Sequence, residues 1–296
     1  MVSIIIVNYN TSELLLSCVE SIVANVKTDY EIIVVDNNST SEQKALLRKC
    51  DKFKLIELES NLGFGKANNA GAKMAEGEYL FLLNPDTILV NDAVSLISAY
   101  MSQHKDVGIC GGNLYDKNMQ PTHSYHKLLP SILSEADFAT GQIYRKLRYG
   151  KNPQFNTTAS PTPVAMITGA DLMITREAWD KCNGFDPDFF MYSEDADLCC
   201  RCSKLGYNIM NIPESKIIHL EGQSFVENRN HCERILDGRF KYFNKHYSRL
   251  YNIAANTINI VSLYCAIFVC SIAGRKTAKS NYSIRLDVYL KKTREQ

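Results

Sequence analysis

The first hundred residues alternate between continuous apolar runs and segments whose apolar positions have helical spacing. The runs cover residues 2–9, 31–36, 54–58 and 78–83. Runs of this length are typical of strands that are buried on both faces of a parallel sheet. Because predicted helices separate the runs, the pattern predicts an α/β fold with a central, mostly parallel sheet. The residues expected in its core are Ile4, Ile5, Val34, Leu80, Leu82 and Ile174.

Polar side chains stand at or just past the carboxyl ends of three predicted strands. They are Asn8 after the first run, Asp36 after the second and Asp86 after the fourth. In open α/β sheets ligands bind outside this edge of the sheet, so we expect the three residues to share one site. An aspartate there can bind a hard divalent cation through oxygen, although the sequence Asn-Pro-Asp is most often only a turn.

The glycine-rich segment 61–71 leads into another predicted helix. Its sequence, NLGFGKANNAG, matches neither the dinucleotide fingerprint nor the Walker loop. Backbone N–H groups at the start of a helix attract phosphate. The segment is therefore a candidate phosphate-binding turn.

Regular patterns are lost in the middle of the chain and then return. Residues 115–163 are polar and aromatic with little periodicity, and we expect a long excursion over the ligand site. Beyond it the pattern predicts two strands within 164–175, then a short helix that begins at Arg176 and is closed by Asn183-Gly184. A helix over 195–205 and strands over 207–213 and 215–220 complete this part of the chain.

The chain contains no charged residue between 250 and 274. Three interpretations compete for this stretch: a helix that lies in a membrane interface, a spanning helix and a core helix. Asn252, Asn256 and Asn259 share one face of the predicted helix, and Arg275 and Lys276 directly follow it. Both features favour a helix that lies in the membrane interface. We therefore divide the chain into an α/β domain, 1–248, and a membrane-associating helical tail, 249–296.

Composition narrows the classes of partner and compartment. The formal net charge of +1 gives no sign of nucleic-acid binding. Of the ten cysteines, Cys199, Cys200 and Cys202 are crowded together, and we expect reduced thiols rather than disulfides or a zinc site. The apolar run at residue 2 leaves no room for a preceding signal peptide, which indicates a cytosolic protein.

Acidic residues crowd the start of the helix predicted at 195–205. Glu194, Asp195 and Asp197 fall within residues 193–197. Acids at this end of a helix commonly offset its dipole, but a carboxylate in a closed cleft can also act as a general base. His219 ends a strand and, although such a histidine is usually structural, it could share a metal with Asp86 because imidazole also binds Mn²⁺.

The order of these motifs closely resembles that of the inverting family 2 glycosyltransferases, within them the rhamnosyltransferase-like branch. The resemblance covers about residues 2–225, with a weaker echo at 239–248. The motifs in order are VSIIIVNYN, EIIVVDNNSTS, NLGFGKANNAG, LNPDT, ITGADLMI, GFDPDFFMYSEDADLCCRCSKLGY and SKIIHLEGQS. The resemblance implies a GT-A-type nucleotide-sugar-binding domain, which is followed by the C-terminal hydrophobic helical segment.

The resemblance also implies a role for individual residues. Asp195 matches the catalytic base, and Glu194 is the neighbouring candidate. Asp86 and His219 match residues that hold a divalent cation, Mn²⁺ or Mg²⁺; Asn84 replaces the first acid of the family's metal motif. The positions that match the donor site are Tyr9, Asp36, Asn61, Lys66, Asn68, Asn84 and Asp86. The positions on the acceptor side are Gly169, Ala170 and Asp171.

The implied activity is inverting sugar transfer from a nucleoside-diphosphate donor, with dTDP-rhamnose as the expected substrate. The acceptor would be a hydroxyl of a glycan or of a polyprenyl-diphosphate-linked sugar in cell-surface polysaccharide synthesis, of the O-antigen or capsule type. Such an enzyme is expected in the cytoplasm, peripheral on the inner face of the cell membrane. No nucleic acid is expected as a partner.

Three alternatives stay open at this point. The enzyme could use a UDP-linked hexose instead, or the chain could be a non-catalytic scaffold that binds nucleotide sugars. A sugar-phosphate nucleotidyltransferase would want a glycine-rich, arginine-bearing loop after the first strand. The sequence NYNTSELL has no glycine there, which disfavours this third alternative.

Overall fold

The computed structural model describes residues 1–220 and 229–294. Its strands are β1 (Val2–Asn8), β2 (Tyr30–Asp36), β3 (Lys54–Glu57), β4 (Tyr79–Leu83), β5 (Thr87–Leu89), β6 (Val107–Tyr115), β7 (Tyr125–His126), β8 (Thr162–Pro163), β9 (Met166–Ile167), β10 (Asp171–Thr175) and β11 (Asn208–His219). Its helices are α1 (Ser12–Asn25), α2 (Ser41–Leu47), α3 (Phe64–Met74), α4 (Ala93–Gln103), α5 (Ile132–Ala139), α6 (Ile143–Tyr149), α7 (Arg176–Cys182), α8 (Glu194–Lys204), α9 (Arg229–His246), α10 (Arg249–Ile272) and α11 (Lys276–Arg294).

One sheet organises the described chain and confirms the expected α/β class. Its order is β3-β2-β1-β4-β10-β6-β11-β5, and β8 pairs with β11. The pairs β3–β2, β2–β1, β1–β4 and β6–β11 are parallel, whereas β10 and β5 run antiparallel to their neighbours. The sheet is therefore mostly parallel, as the apolar runs predict.

Alternation of side chains along the buried strands supplies two cores, one on each face of the sheet. Ile5 packs in the cluster that includes Ala67 of α3, whereas its neighbour Ile4 packs in the cluster that includes Leu15 of α1. Burial on both faces explains why the strands read as continuous apolar runs. All six residues expected in the core are fully buried: Ile4, Ile5, Val34, Leu80, Leu82 and Ile174.

The reversed strand β10 brings two separate sequence motifs together. Asp171 at the start of β10 lies opposite Leu83 at the end of β4. The backbone N–H of Asn84 donates to the carbonyl of Ala170 over 2.9 Å. The segment just before β10 therefore meets the segment just after β4 at the carboxyl edge of the sheet.

Some elements differ from the sequence predictions. The two strands expected over 207–213 and 215–220 are one strand, β11, whose pairing with β6 shifts register between Asn211 and Lys216. Pro213 lies inside that shift, where its missing N–H costs no ladder bond. Helices α5 and α6 occupy the segment expected to be irregular. Reciprocal hydrogen bonds between Ser131 and Ser134 cap α5, and both helices are too short to produce a clear period.

Three helices end the described part of the chain and pack against one another. The core between α9, α10 and α11 includes Leu236 and Leu263. On the polar side of α10, the side chain of Asn256 accepts hydrogen bonds from Arg239 (3.0 Å) and from Tyr289 (2.8 Å). The face of α10 that carries the asparagines therefore contacts neighbouring helices of the same chain.

The other face of α10 is apolar and exposed. Leu250, Phe268 and Ile272 are 80%, 67% and 74% exposed. Within the described residues, α10 is the one helix that is long and apolar enough to cross a bilayer, and 17% of its most apolar stretch is buried. The expected C-terminal apolar helix is confirmed, and its interpretation as a core helix is wrong. The interface and spanning interpretations, and the division at residue 248, stay predictions.

Candidate active site

A cleft of about 600 Å³ lies at the carboxyl ends of β1, β2 and β4. Segments that follow these strands line it, together with residues 190–192 and the first turns of α9. Four residues expected to bind the donor line the cleft: Tyr9, Asn61, Asn84 and Asp86. No residue of 115–163 lines it, and α5 instead donates a backbone N–H from Ile132 to the hydroxyl of Tyr251 on α10. The segment therefore does not line the cleft, and the expectation that it passes over the wider site stays a prediction.

Asp36 lies beneath the cleft rather than in its lining. The carboxylate is fully buried and accepts hydrogen bonds from Asn8 Nδ2 (2.9 Å) and from the N–H of Ser39 (3.0 Å). The ammonium of Lys44 lies 3.8 Å from it. These bonds fix the loop after β2, whose residue Asn37 does line the cleft. A direct role of Asp36 toward the donor stays a prediction.

The glycine-rich turn contributes its backbone and one asparagine to the cleft. Asn61 Oδ1 accepts hydrogen bonds from Asn37 Nδ2 and from the N–H of Gly63, each over 3.0 Å. Gly63 adopts φ +84°, and a Cβ atom there would lie 2.0 Å from the carbonyl oxygen of Phe190. Only glycine permits this close approach.

Two other residues of this segment do not line the cleft. Lys66 is exposed on α3, and Asn68 is 1% exposed with its Nδ2 donating to the carbonyl of Phe64. Asn69 has a structural role that the sequence analysis missed. Its amide accepts from the N–H of Phe185 (2.9 Å) and donates to the carbonyl of Phe185 (2.8 Å), joining α3 to the segment before α8.

A carboxylate, an imidazole and an amide converge after β4. Asp86 Oδ1 lies 3.3 Å from His219 Nε2, and Asn84 Nδ2 lies 3.4 Å from the same nitrogen. Among the described residues no group of three or more His, Cys, Asp and Glu could hold a metal. Mg²⁺ is commonly held by one or two carboxylates together with substrate phosphates. Asp86 and His219 therefore fit a cation whose remaining ligands are phosphate oxygens and water.

The acidic start of α8 contains two carboxyl groups in different environments. Burial and the charge of Asp195 raise the pKa of Glu194 to about 8, so this group is mostly protonated at neutral pH. Burial also raises the pKa of Asp195, a half-buried residue whose carboxylate accepts from the N–H of Gly169 over 3.2 Å. The greater exposure of Asp195 favours it over the buried Glu194 as a general base.

Backbone strain precedes the same helix. Tyr192 and Ser193 are consecutive non-glycine residues with positive φ, +72° and +68°. Such residues cost roughly 1–2 kcal/mol each and cluster at functional sites. A Cβ atom on Gly238 of α9 would lie 2.2 Å from the carbonyl oxygen of Tyr192. The close packing of α9 therefore supports the strained segment.

Residues 169–171 connect the base to the candidate metal residues. Gly169 contacts Asp195, and Ala170 accepts from Asn84 as described above. Asp171 is fully buried, accepts from the N–H of Gly112 over 2.6 Å, and has its pKa raised well above the usual range by burial. This segment thus sets the distance between the base and the cation site, and its role toward the acceptor stays a prediction.

Helix α9 anchors α8 from the side away from the cleft. Asp197 of α8 accepts from Arg201 Nε (2.8 Å) and bonds to His246 Nε2 (2.8 Å) of α9. These contacts raise the pKa of His246 to about 9, mainly through Asp197. The helix that carries Asp195 is therefore tied to the last turn of α9.

The sequence analysis missed the residues that α9 brings to the cleft. Asn230, His231 and Arg234 line it beside residues 190–192. The only signal nearby was the weak echo at 239–248, which lies further along the same helix. The end of the last motif, residues 221–224, lies outside the described residues.

Comparison with known proteins shows the family to which the chain belongs. The family model described as glycosyl transferase family 2 matches residues 3–184. The rhamnosyltransferase WbbL of Escherichia coli (strain K12) is 27% identical over 74% of this chain and 83% of its own length. The N-acetylglucosaminyl-diphospho-decaprenol L-rhamnosyltransferase of Mycobacterium tuberculosis is 25% identical over 65% of this chain and 67% of its own length. The dTDP-rhamnosyl transferase RfbF of Shigella flexneri is 23% identical over 75% of this chain and 70% of its own length.

Solved structures share the fold at low sequence identity. The mannosyltransferase PcManGT of Pyrobaculum calidifontis, in complex with GDP-Man and Mn²⁺, matches with a TM-score of 0.62 at 16% identity, over 98% of this chain and 86% of that one. GalNAc-T7 with UDP, GalNAc and Mn²⁺ matches with a TM-score of 0.58 at 15% identity; the chain covers 51% of it. These neighbours confirm the GT-A-type fold. Since the family model covers more than half of the chain, this protein belongs to glycosyl transferase family 2 and is a glycosyltransferase that resembles the rhamnosyltransferase-like branch.

Proposed function

We propose that the chain transfers rhamnose from dTDP-rhamnose, with inversion, to a hydroxyl group of a lipid-diphosphate-linked sugar acceptor. The observation that carries the proposal is the link between Asp195 and the pair Asp86–His219 through residues 169–171 at the carboxyl edge of the sheet. The names of the relatives support the sugar, the nucleotide and the acceptor. The wider role is cell-surface polysaccharide synthesis.

The reaction needs one base and one displacement. Asp195 takes the proton of the acceptor hydroxyl, and the oxygen attacks the anomeric carbon from the face opposite the nucleotide. The new carbon–oxygen bond forms as the bond to the diphosphate breaks, and the diphosphate leaves with that electron pair. A bound divalent cation would supply positive charge to offset the charge on the departing diphosphate. Because no covalent intermediate forms, the anomeric configuration inverts.

The residues around the cleft have separate tasks in this scheme. Tyr9, Asn37 and Asn61 line the part of the cleft beside β1 and β2, where the nucleoside binds. Asp86 and His219, with Asn84 next to them, would hold a divalent cation that supplies positive charge to the diphosphate. Gly169 keeps the Asp195 carboxylate oriented by a backbone hydrogen bond.

The test is turnover of a panel of nucleotide sugars, including UDP-linked hexoses, with a lipid-linked acceptor. The reactions are run with Mn²⁺ or Mg²⁺ and then with EDTA. We expect turnover of dTDP-rhamnose that is lost on chelation and in Asp195→Asn. The matched control is Asp180→Asn, an exposed aspartate on α7 that is outside the cleft. If only a UDP-hexose is turned over, the proposed donor is wrong. If Asp195→Asn keeps full activity, Asp195 is not the general base.

Attachment to the inner face of the membrane is the second part of the proposal. The exposed apolar face of α10 includes Leu250, Phe268 and Ile272, and the basic residues Arg275 and Lys276 follow it. A helix of this kind binds a bilayer through its apolar face and through attraction to anionic lipids. A lipid-linked acceptor would then be presented at the same surface.

Vesicle flotation with phosphatidylglycerol and with phosphatidylcholine tests the attachment. The wild type should float with the anionic vesicles, and a variant with glutamate at positions 250, 268 and 272 should not. Val23→Glu is the control, because Val23 is 46% exposed on α1, away from this helix. Equal flotation of wild type and the triple variant would contradict the proposed surface.

A further inference from the structure

Helix α9 brings an arginine to the cleft that no sequence motif indicated. Arg234 lines the 600 Å³ cleft together with Asn84 and Asp86. It also lines an adjoining pocket of about 350 Å³, beside Asn230 and Lys292. Arg234 is therefore shared by the linings of the cleft and of the second pocket, which also contains Glu233 and Asp237.

The other cations of α9 are committed to carboxylates. Arg229 pairs with Glu233 and Asp287, Arg239 with Glu135, Lys241 with Asp237, and Lys245 with Asp186 and Asp188. Arg234 makes no ion pair with any carboxylate of residues 1–220 and 229–294. Within the described residues, the guanidinium of Arg234 is thus not paired with a carboxylate, whereas the other cations of α9 are.

Packing fixes the position of Arg234 relative to the cleft. Its guanidinium lies 5.8 Å from the centre of the Phe190 ring, which also lines the cleft. Gly238 follows four residues later, on the same face of the helix, and touches the backbone of Tyr192. The face of α9 that carries Arg234 is therefore held against residues 190–192.

The charged residues in the lining of the cleft indicate an anionic ligand. The described lining of the cleft contains one aspartate, Asp86, one histidine and one arginine, Arg234. A nucleoside diphosphate carries several negative charges, and a guanidinium group binds phosphate oxygens with two parallel hydrogen bonds. Lys66, the lysine expected near the diphosphate, is exposed on α3 outside the lining.

We propose that Arg234 binds the diphosphate of the nucleotide-sugar donor, in the part of the cleft shared with Asn84 and Asp86. The proposal deepens the function proposed above and rests on it. Arg234 binds charged oxygens of the diphosphate in the intact donor, and its positive charge also offsets the additional negative charge that the diphosphate carries once the bond to the sugar breaks.

The experiment is calorimetric binding of dTDP, UDP and GDP to the full chain, each with Mg²⁺ or Mn²⁺. The variants are Arg234→Met, Arg234→Lys and the control Lys73→Met, which changes an exposed lysine near the end of α3 that lies outside both linings. Since a charged hydrogen bond contributes about 1.5–3 kcal/mol, the affinity of Arg234→Met for the nucleotide that binds wild type should fall about tenfold or more. The affinity of Arg234→Lys should lie between those of Arg234→Met and wild type, and the affinity of Lys73→Met should match that of wild type. Binding of the nucleoside without phosphates should not change in any variant.

The outcomes separate this inference from the proposed function. If wild type and Arg234→Met bind the nucleoside diphosphate equally, Arg234 has no such role, whatever sugar is transferred. If the KM for the acceptor alone rises, the guanidinium binds the acceptor's diphosphate and the inference is overturned. Weakened nucleotide binding without sugar transfer by wild type would support the inference and contradict the function. Wild type that binds no nucleoside diphosphate would contradict both.

Discussion

Replacing Gly63 by alanine tests the close contact between the glycine-rich turn and the segment before α8. Gly63 has φ +84° and ψ 175°, and Gly150 has nearly the same backbone conformation, φ +88° and ψ −175°. A Cβ atom at Gly63 would meet the Phe190 carbonyl oxygen at 2.0 Å, whereas one at Gly150 meets nothing within 4 Å. The two substitutions therefore share the backbone strain and differ in the clash.

The expected magnitudes follow from these two terms. A non-glycine residue in this region of φ and ψ costs on the order of 1–3 kcal/mol, which applies to both Gly63→Ala and Gly150→Ala. Overpacking against fixed atoms adds typically about 1–3 kcal/mol, and this applies to Gly63→Ala alone. We therefore expect Gly63→Ala to lower the free energy of unfolding by about 1–3 kcal/mol more than Gly150→Ala does.

Urea denaturation measures the loss in the free energy of unfolding of both variants with one fluorescent probe. The chain has a single tryptophan, Trp179, which is 6% exposed in the core beside Phe185, so its fluorescence reports unfolding of the sheet domain. Gly63→Ala should also weaken nucleotide binding, since both Gly63 and Phe190 line the cleft. Equal stability losses in the two variants would refute the contact with Phe190.

Three further predictions address the cation, the α8 anchor and the α3 anchor. Asp86→Ala should abolish stimulation of transfer by Mn²⁺ without changing the unfolding midpoint, as a metal titration would reveal. Because the pKa of His246 is raised to about 9, the stabilisation by its charged form is fully present below pH 6.5 and is lost as pH rises through 9; the stability gap to His246→Gln should narrow over that range by up to roughly 3 kcal/mol in urea titrations. Asn69→Leu should cost about 2–4 kcal/mol, because it leaves two backbone groups of Phe185 without partners.

The parallel strands of the sheet could be predicted because their signal, a continuous apolar run, lies within each strand's own sequence. Strands β1, β2 and β4 are buried on both faces, so each is a continuous apolar run, and the polar residue that ends each run marks the ligand edge. Asp86 was found in this way. The same reasoning could not tell that Asp36 is covered by Asn8 and Ser39, because that depends on how two loops meet.

The remainder of the site depends on contacts between distant segments. The direction of β10, which places Gly169 beside Asp195, follows from strand pairing and leaves no trace in the apolar pattern. Arg234 is one of several basic residues on α9, and only tertiary packing distinguishes it from neighbours that pair with carboxylates. Helix α5 was missed since it has only eight residues and its buried residue is an aspartate, Asp137.

The central claim is a single displacement driven by one base, and the anomeric configuration of the product tests it most directly. The measurement is NMR of the sugar transferred from dTDP-rhamnose to a lipid-linked acceptor, compared with the configuration in the donor. The account predicts an inverted linkage in the wild-type product and no product above background from Asp195→Asn. A product that retains the donor's configuration would contradict it, because retention requires a second displacement or attack from the side of the leaving diphosphate.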